Sequence, residues 1–161
     1  MRYIAATHYS IKPMQLKEIM TTDVEVIRPD SSVADAAKQM RSLDVGSLPV
    51  CDGQRLVGMI TDRDITIRAT ADGRDPNNTL VRDCMSPEIV YCFEDDTAQN
   101  AERIMQDKQI RRLPVLTREK QLAGIIALAD LATKTDDIRA VGKTLEKVSE
   151  PSDKPSPAIL L

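Results

Sequence analysis

Aromatic side chains are almost missing from this chain: there is no tryptophan, one phenylalanine and three tyrosines. With a net charge of −3, that removes both the stacking platform and the basic surface by which nucleic-acid-binding proteins hold their targets. The one histidine, His8, stands far along the chain from Cys51, Cys84 and Cys92, and the three cysteines lack the close paired spacing of zinc ligands. No metal is expected. Buried free thiols are the plain reading, with a redox-sensitive thiol left open. No apolar run reaches the roughly 18 residues that a membrane-spanning helix needs, and residues 1–11 lack the apolar stretch of a secretion signal. A soluble, cytoplasmic protein without a membrane partner is expected. No nucleophile stands beside a base and no carboxylate pair sits on a recognisable scaffold, so no catalytic residue is assigned and the chain reads as a non-enzyme.

What is there is an ordinary globular composition, 42% hydrophobic and 29% charged, in 161 residues, and a repeat. Ile19-Met20-Thr21 returns as Cys84-Met85-Ser86, an offset of 65 residues. The same offset carries Asp30 to Asp95, Ala36 to Ala101, Met40 to Met105 and Leu48-Pro49-Val50 to Leu113-Pro114-Val115. After one inserted residue, Gly58 corresponds to Gly124, Ile60 to Ile126, Asp64 to Asp130 and Ile65 to Leu131.

Each copy reads as strand, helix, strand, strand, helix. Val24 and Val26 alternate with polar neighbours, as in a half-buried strand. A helix starts near Ser32, which forms a capping pattern with Asp35, and presents Val33, Ala36, Ala37 and Met40 on one face. Two strands follow, residues 48–50 and 56–60, joined by Asp52-Gly53, a strong hairpin signal. A second helix follows Thr61. The second copy predicts a strand at 89–92, a helix at 97–107, strands at 113–116 and 122–126, and a helix after Ala127. The expected organisation is an N-terminal arm at 1–14, one repeat at 15–73, a turn-rich linker at 74–79, a second repeat at 80–135, and a polar helix with a disordered tail at 136–161. Units of about sixty residues bury too little surface to stand alone. The two copies are therefore expected to pack sheet against sheet in an α+β fold with a cleft between them.

The stretch Gly58-Met59-Ile60-Thr61-Asp62-Arg63-Asp64 joins the last strand of the first copy to its last helix. Thr61 with Asp64 is a capping box and needs no ligand to explain it. The same junction offers unpaired N–H groups, a positive dipole end and a hydroxyl to a phosphate, and a carboxylate one turn in that can accept both hydroxyls of a ribose. Gly58 would admit either a ligand or close strand packing.

The duplicated pattern resembles a pair of CBS domains, named after cystathionine β-synthase, over residues 15–135. The resemblance implies a tandem (Bateman) module whose two clefts bind adenosine ligands: AMP, ADP or ATP, or S-adenosylmethionine or NADH, with no resident cofactor. It gives ribose to Asp64 and phosphate to Thr61, and adds from the other copy the segment with Ser86, Pro87 and Val90 and the pair Arg111-Arg112. Adjacent guanidiniums suit phosphate oxygens, although an exposed basic spot serving solubility has the same signature. Val90 and Ile60 would carry the adenine. Arg63 and Arg68 would reach a longer phosphate chain or form exposed ion pairs.

In the second cleft Asp130 remains, but Ala127 replaces the hydroxyl residue, and Gly46-Ser47 stand where the first has arginines, beside Thr21 and Thr22. That cleft is expected to bind phosphate poorly, and so to stay empty or to take a less phosphorylated ligand. The function implied is a regulatory adenine-nucleotide sensor, homodimeric, read by an effector protein. The alternative is a structural or interaction pair that binds no nucleotide.

Overall fold

A computed structural model describes residues 12–151. His8, most of the arm and residues 152–161 of the tail lie outside the described residues.

In the first repeat, Ser32 Oγ accepts from Asp35 N and opens helix α1 (Val33–Leu43). The helix buries Val33, Ala36 and Met40 and stops at Asp44, whose φ of 54° ends the right-handed turn. Strands β1 (Ser47–Asp52) and β2 (Arg55–Thr61) form an antiparallel hairpin around Gly53, at φ 60°. Helix α2 (Asp62–Ile65) widens into a π-helical turn over Thr66–Thr70, and a short helix α3 (Val81–Cys84) follows the linker. The second repeat runs β3 (Cys92–Phe93), α4 (Ala98–Lys108), β4 (Arg112–Leu116), β5 (Leu122–Ala127) and α5 (Leu128–Lys134), with β3 parallel and β5 antiparallel to β4. The fold is α+β, two small sheets with helices.

Three expectations shift, the first being the strand read at 89–92, which forms only as the two-residue β3 with residues 89–91 outside it. Val24 and Val26 make no strand: the chain runs on to a single parallel bridge, Ile27 to Val50, and Val26 stays exposed. The reason is that Thr21 has already paired with Ile125 of the other repeat, so the next residues span from one hairpin to the other. The C-terminal helix α6 (Ile138–Ser149) is amphipathic rather than polar. It buries Val141, Thr144 and Val148 against α4 and α5.

The repeats exchange their leading segments. Leu16 and Ile19, at the start of the first repeat, are buried in the core of the second with Cys92, Met105, Leu113, Ile126 and Leu131. Val81 and Cys84, at the start of the second, are buried in the core of the first with Ile27, Val33, Leu48 and Ile60. Paired backbone bonds fix each exchange, between Thr21 and Ile125 and between Ser86 and Met59. A third cluster, Cys51, Leu56 and Leu116 with Met59, Ile89 and Leu122, joins the hairpins to one another.

Candidate functional site

Crossing the leading segments leaves two pseudo-symmetric grooves, each walled by the strand-to-helix junction of one repeat and the entering segment of the other. The β2–α2 junction holds Thr61 and Asp64. Thr61 N and Oγ1 both donate to Asp64 Oδ2, at 2.9 and 2.8 Å, and Asp64 N donates to Thr61 Oγ1 at 3.0 Å. The hydroxyl and one carboxylate oxygen are thus spent on capping. Arg68, one turn on, lies across the groove: its guanidinium donates to Cys84 O, Met85 O and Ser86 Oγ and sits 3.6 Å from Asp64 Oδ1. Arg68 therefore ties Asp64 and Ser86 together.

The β5–α5 junction repeats this arrangement without the hydroxyl. Ala127 N donates to Asp130 Oδ2, and Lys134 Nζ donates both to Asp130 Oδ1 at 2.9 Å and to Ile19 O at 2.8 Å. Arg68 and Lys134 are equivalent by the 66-residue offset, as are Cys84 and Ile19 by the 65-residue offset. Each clamps the entering segment of the other repeat to the motif carboxylate. The sequence singles out Arg68 but not Lys134, although the repeat offset alone aligns the two.

The glycines explain the close fit. A Cβ on Gly58 would lie 2.7 Å from Met85 Sδ and 3.0 Å from Ser86 O; one on Gly124 would lie 2.6 Å from Thr21 O. Both serve the close approach of the entering segment.

On the Asp130 side a cavity of about 400 Å³ opens between the repeats. Thr21, Asp23, Val24 and Glu25 enter from the leading segment, Leu43, Val45, Ser47, Leu48, Pro49 and Met59 from the first repeat, and Arg112, Leu113, Pro114, Ile125, Ala127 and Asp130 from the second. Thr21, Ser47 and Asp130 thus meet in one cavity, while Thr22 lines a smaller one beside Gln54 and Gln121. Arg112, read with Thr61 in the sequence, lines the Asp130 cavity. Its offset partner is Ser47, and β1 and β4 place both residues on the wall between the grooves. Arg111 turns the other way, its guanidinium donating to Ser149 Oγ at the end of α6. Ile60 cannot carry an adenine ring, since its side chain is fully buried in the first core; burial alternates along β2, and it is Met59 that faces the cavity. Gly46 O accepts from Asp62 N, so this backbone group is engaged at the mouth of α2. Pro87 is exposed, and Val90 is partly buried against the second core.

The cavity carries one guanidinium, Arg112, against the carboxylates of Asp23, Glu25 and Asp130, with Lys134 paired to the last. Its walls are otherwise mostly aliphatic. The thiols take no part: all three are buried, and burial pushes each upward, Cys92 to about 12. Among the described residues no group of three His, Cys, Asp or Glu side chains is placed to hold a metal ion, and no helix is long and apolar enough to cross a membrane.

A duplicated α+β unit with exchanged leading segments and two such grooves is the architecture of a tandem CBS pair. A family model for the CBS domain matches residues 16–69 and again 81–137, and the chain belongs to that family. It is 39% identical over 134 residues to the CBS domain-containing protein YhcV of Bacillus subtilis, covering 83% of this chain and 94% of the relative. The solved structure of Hypoxic Response Protein I with two coordinated zinc ions superposes with a TM-score of 0.69 at 35% identity, over 76% of this chain and 99% of that one. CBSX2 in complex with AMP superposes with a TM-score of 0.67 at 25% identity, over 78% of this chain and 98% of that one.

Proposed function

We propose that this protein is a non-catalytic regulatory module that binds an adenosine ligand in the cavity beside Asp130, with AMP preferred to ATP. The observation that carries the reading is the open, apolar cavity between the two Leu-Pro-Val strands, with Asp130 at one edge for the ribose and Arg112 for one phosphate. Val24, Val45, Pro49, Met59 and Ile125 offer the adenine a dry aliphatic slot. A triphosphate would bring several negative charges to a cavity whose own charges are predominantly acidic. S-adenosylmethionine, which carries a sulfonium and an ammonium, is the other ligand this charge pattern favours. The AMP-bound CBSX2 structure supports the adenosine class.

The Asp64 groove is a second candidate on a separate observation, the convergence of Thr61, Asp64, Arg68 and Ser86. A phosphate there would take over the donors of Arg68. Ligand binding regulates by favouring one arrangement of the two repeats over another, which an effector protein then reads. The exposed Ile67, on the helical turn after α2, lies on the face through which two copies would pair as a homodimer.

Thermal denaturation with AMP, ADP, ATP, S-adenosylmethionine and NADH tests the reading. A ligand at 100 times its dissociation constant adds about 2.7 kcal/mol. AMP or S-adenosylmethionine should raise the melting temperature of the native protein, less so with Asp130→Ala and Arg112→Ala. A response lost in Asp64→Ala instead moves the site to the other groove. Silence towards all five ligands would leave a structural, interaction-only pair.

A further inference from the structure

On the outer side of the second repeat, away from both grooves, α4 carries Glu102 at the place where α1 of the first repeat has the exposed Ala37. Glu102 is only 7% exposed. The difference comes from what covers it: residues 12–14 and the turn leading into α6 close over this face, and the first repeat has no helix equivalent to α6. Between them lies a cavity of about 390 Å³, lined by Lys12, Pro13, Met14, Ala98, Gln99, Glu102, Thr135, Asp136 and Asp137.

An acidic residue this far buried ordinarily has an ion-pair or hydrogen-bond partner. Among the described residues Glu102 has neither. Burial raises its pKa, and the neighbouring carboxylate of Asp137 raises it further. Asp137 spends one carboxylate oxygen on Ala140 N, where it caps α6, and Asp136 is exposed beside it. Lys12, the one basic residue of the lining, makes no ion pair with these acids within the described chain. The elements that bury Glu102 thus bring it acids and apolar walls, and leave a volume many times that of a water molecule, about 30 Å³.

We propose that this cavity binds a small organic cation, an amine or guanidinium on a short aliphatic stem, with Glu102 as its buried counter-ion and Asp136 and Asp137 at the mouth. Charged donors of this kind make the stronger hydrogen bonds to a carboxylate, and Met14, Pro13 and Ala98 line the wall against which a methylene stem would lie. An inorganic ion is the poorer occupant, because the three carboxylates are not grouped as metal ligands.

The test uses the full chain and Glu102→Gln, which keeps the shape and removes the charge. Melting temperatures are measured with arginine, putrescine and spermidine as probes, against sodium chloride at equal ionic strength. At least one probe should raise the melting temperature of the native protein by several degrees beyond the salt control. The rise should vanish in Glu102→Gln and persist in Asp130→Ala, which separates this site from the adenosine cavity. Without any probe, Glu102→Gln should melt at or above the native temperature, since it relieves an uncompensated buried charge. A lower melting temperature for that variant alone would reveal a partner already paired with Glu102 within the chain. That result, or probe responses equal in the two proteins or absent from both, would overturn the proposal.

Discussion

Gly58 and Gly124 occupy the same place in the two repeats, and a methyl group at each meets the equivalent pair, a methionine sulfur and the next residue's backbone oxygen, in opposite order of closeness. At Gly124 the nearest atom is the backbone oxygen of Thr21, at 2.6 Å, locked in the bridge to Ile125; at Gly58 it is the end of the flexible Met85 side chain. Overpacking of this kind costs about 1 to 3 kcal/mol. Gly124→Ala should therefore fall towards the upper end of that range and Gly58→Ala towards the lower, read as midpoint shifts in urea at constant slope. The cysteines give a second prediction at this scale. A thiol held above its unfolded pKa keeps its proton in the folded state while the unfolded chain has lost it. The stability associated with that proton is full below the unfolded value, near 9, and declines as pH rises from there towards the folded value. Cys92, pushed to about 12, should contribute the steepest part of that decline. Cys92→Ala should flatten the fall in melting temperature between pH 9 and 11 relative to the native protein.

At the scale of the element, α6 is where reading the sequence and seeing the fold diverge most instructively. The hairpins, the capped helices and the motif junctions were all legible, because the repeat offset lets each copy vouch for the other and because Asp52-Gly53, Ser32 and Thr97 carry local signals. Helix α6 has no second copy to vouch for it, and its many charged residues hide the spacing of Val141, Thr144 and Val148. The strand expected at Val24 and Val26 failed for the opposite reason: alternation was present, but the exchange at Thr21 carries the chain away from a partner. Arg112, read with Thr61 in the sequence, lines the cavity with Asp130, because sequence order does not reveal that residues of β1 and β4 meet there. Val141 and Val148 are each at least nine-tenths buried, and Thr144 is fully buried, accepting from Gln106 Nε2 at 2.7 Å. Each Val→Ala change here removes two buried carbons, at about 0.8 kcal/mol apiece before any cavity term. Val141→Ala with Val148→Ala should cost about 3 kcal/mol or more, whereas Leu145→Ala, on the exposed side of the same helix, should stay within about 0.5 kcal/mol. Guanidinium unfolding followed by circular dichroism distinguishes these outcomes.

For the whole molecule the exchange of leading segments makes the two repeats one thermodynamic unit. Leu16 belongs to the first repeat by sequence and to the second by packing, while Val81 does the reverse, so neither core is complete without chain from the other half. The three thiols report on this directly, because Cys84 lies in the first core, Cys92 in the second and Cys51 in the cluster that joins the hairpins. If opening is global, a thiol reagent should find all three at one free energy, equal to that from denaturant unfolding. Leu16→Ala, a fully buried leucine, should cost about 3 kcal/mol. Its effect should be the same at Cys84 as at Cys92, although it removes atoms from one core only. Labelling of Cys92 accelerated with Cys84 unchanged would mean that the halves open separately, and a ligand in the groove could then order one repeat without moving the other. Equal acceleration would mean that whatever the grooves bind is felt throughout the molecule, which is the property a regulatory module needs.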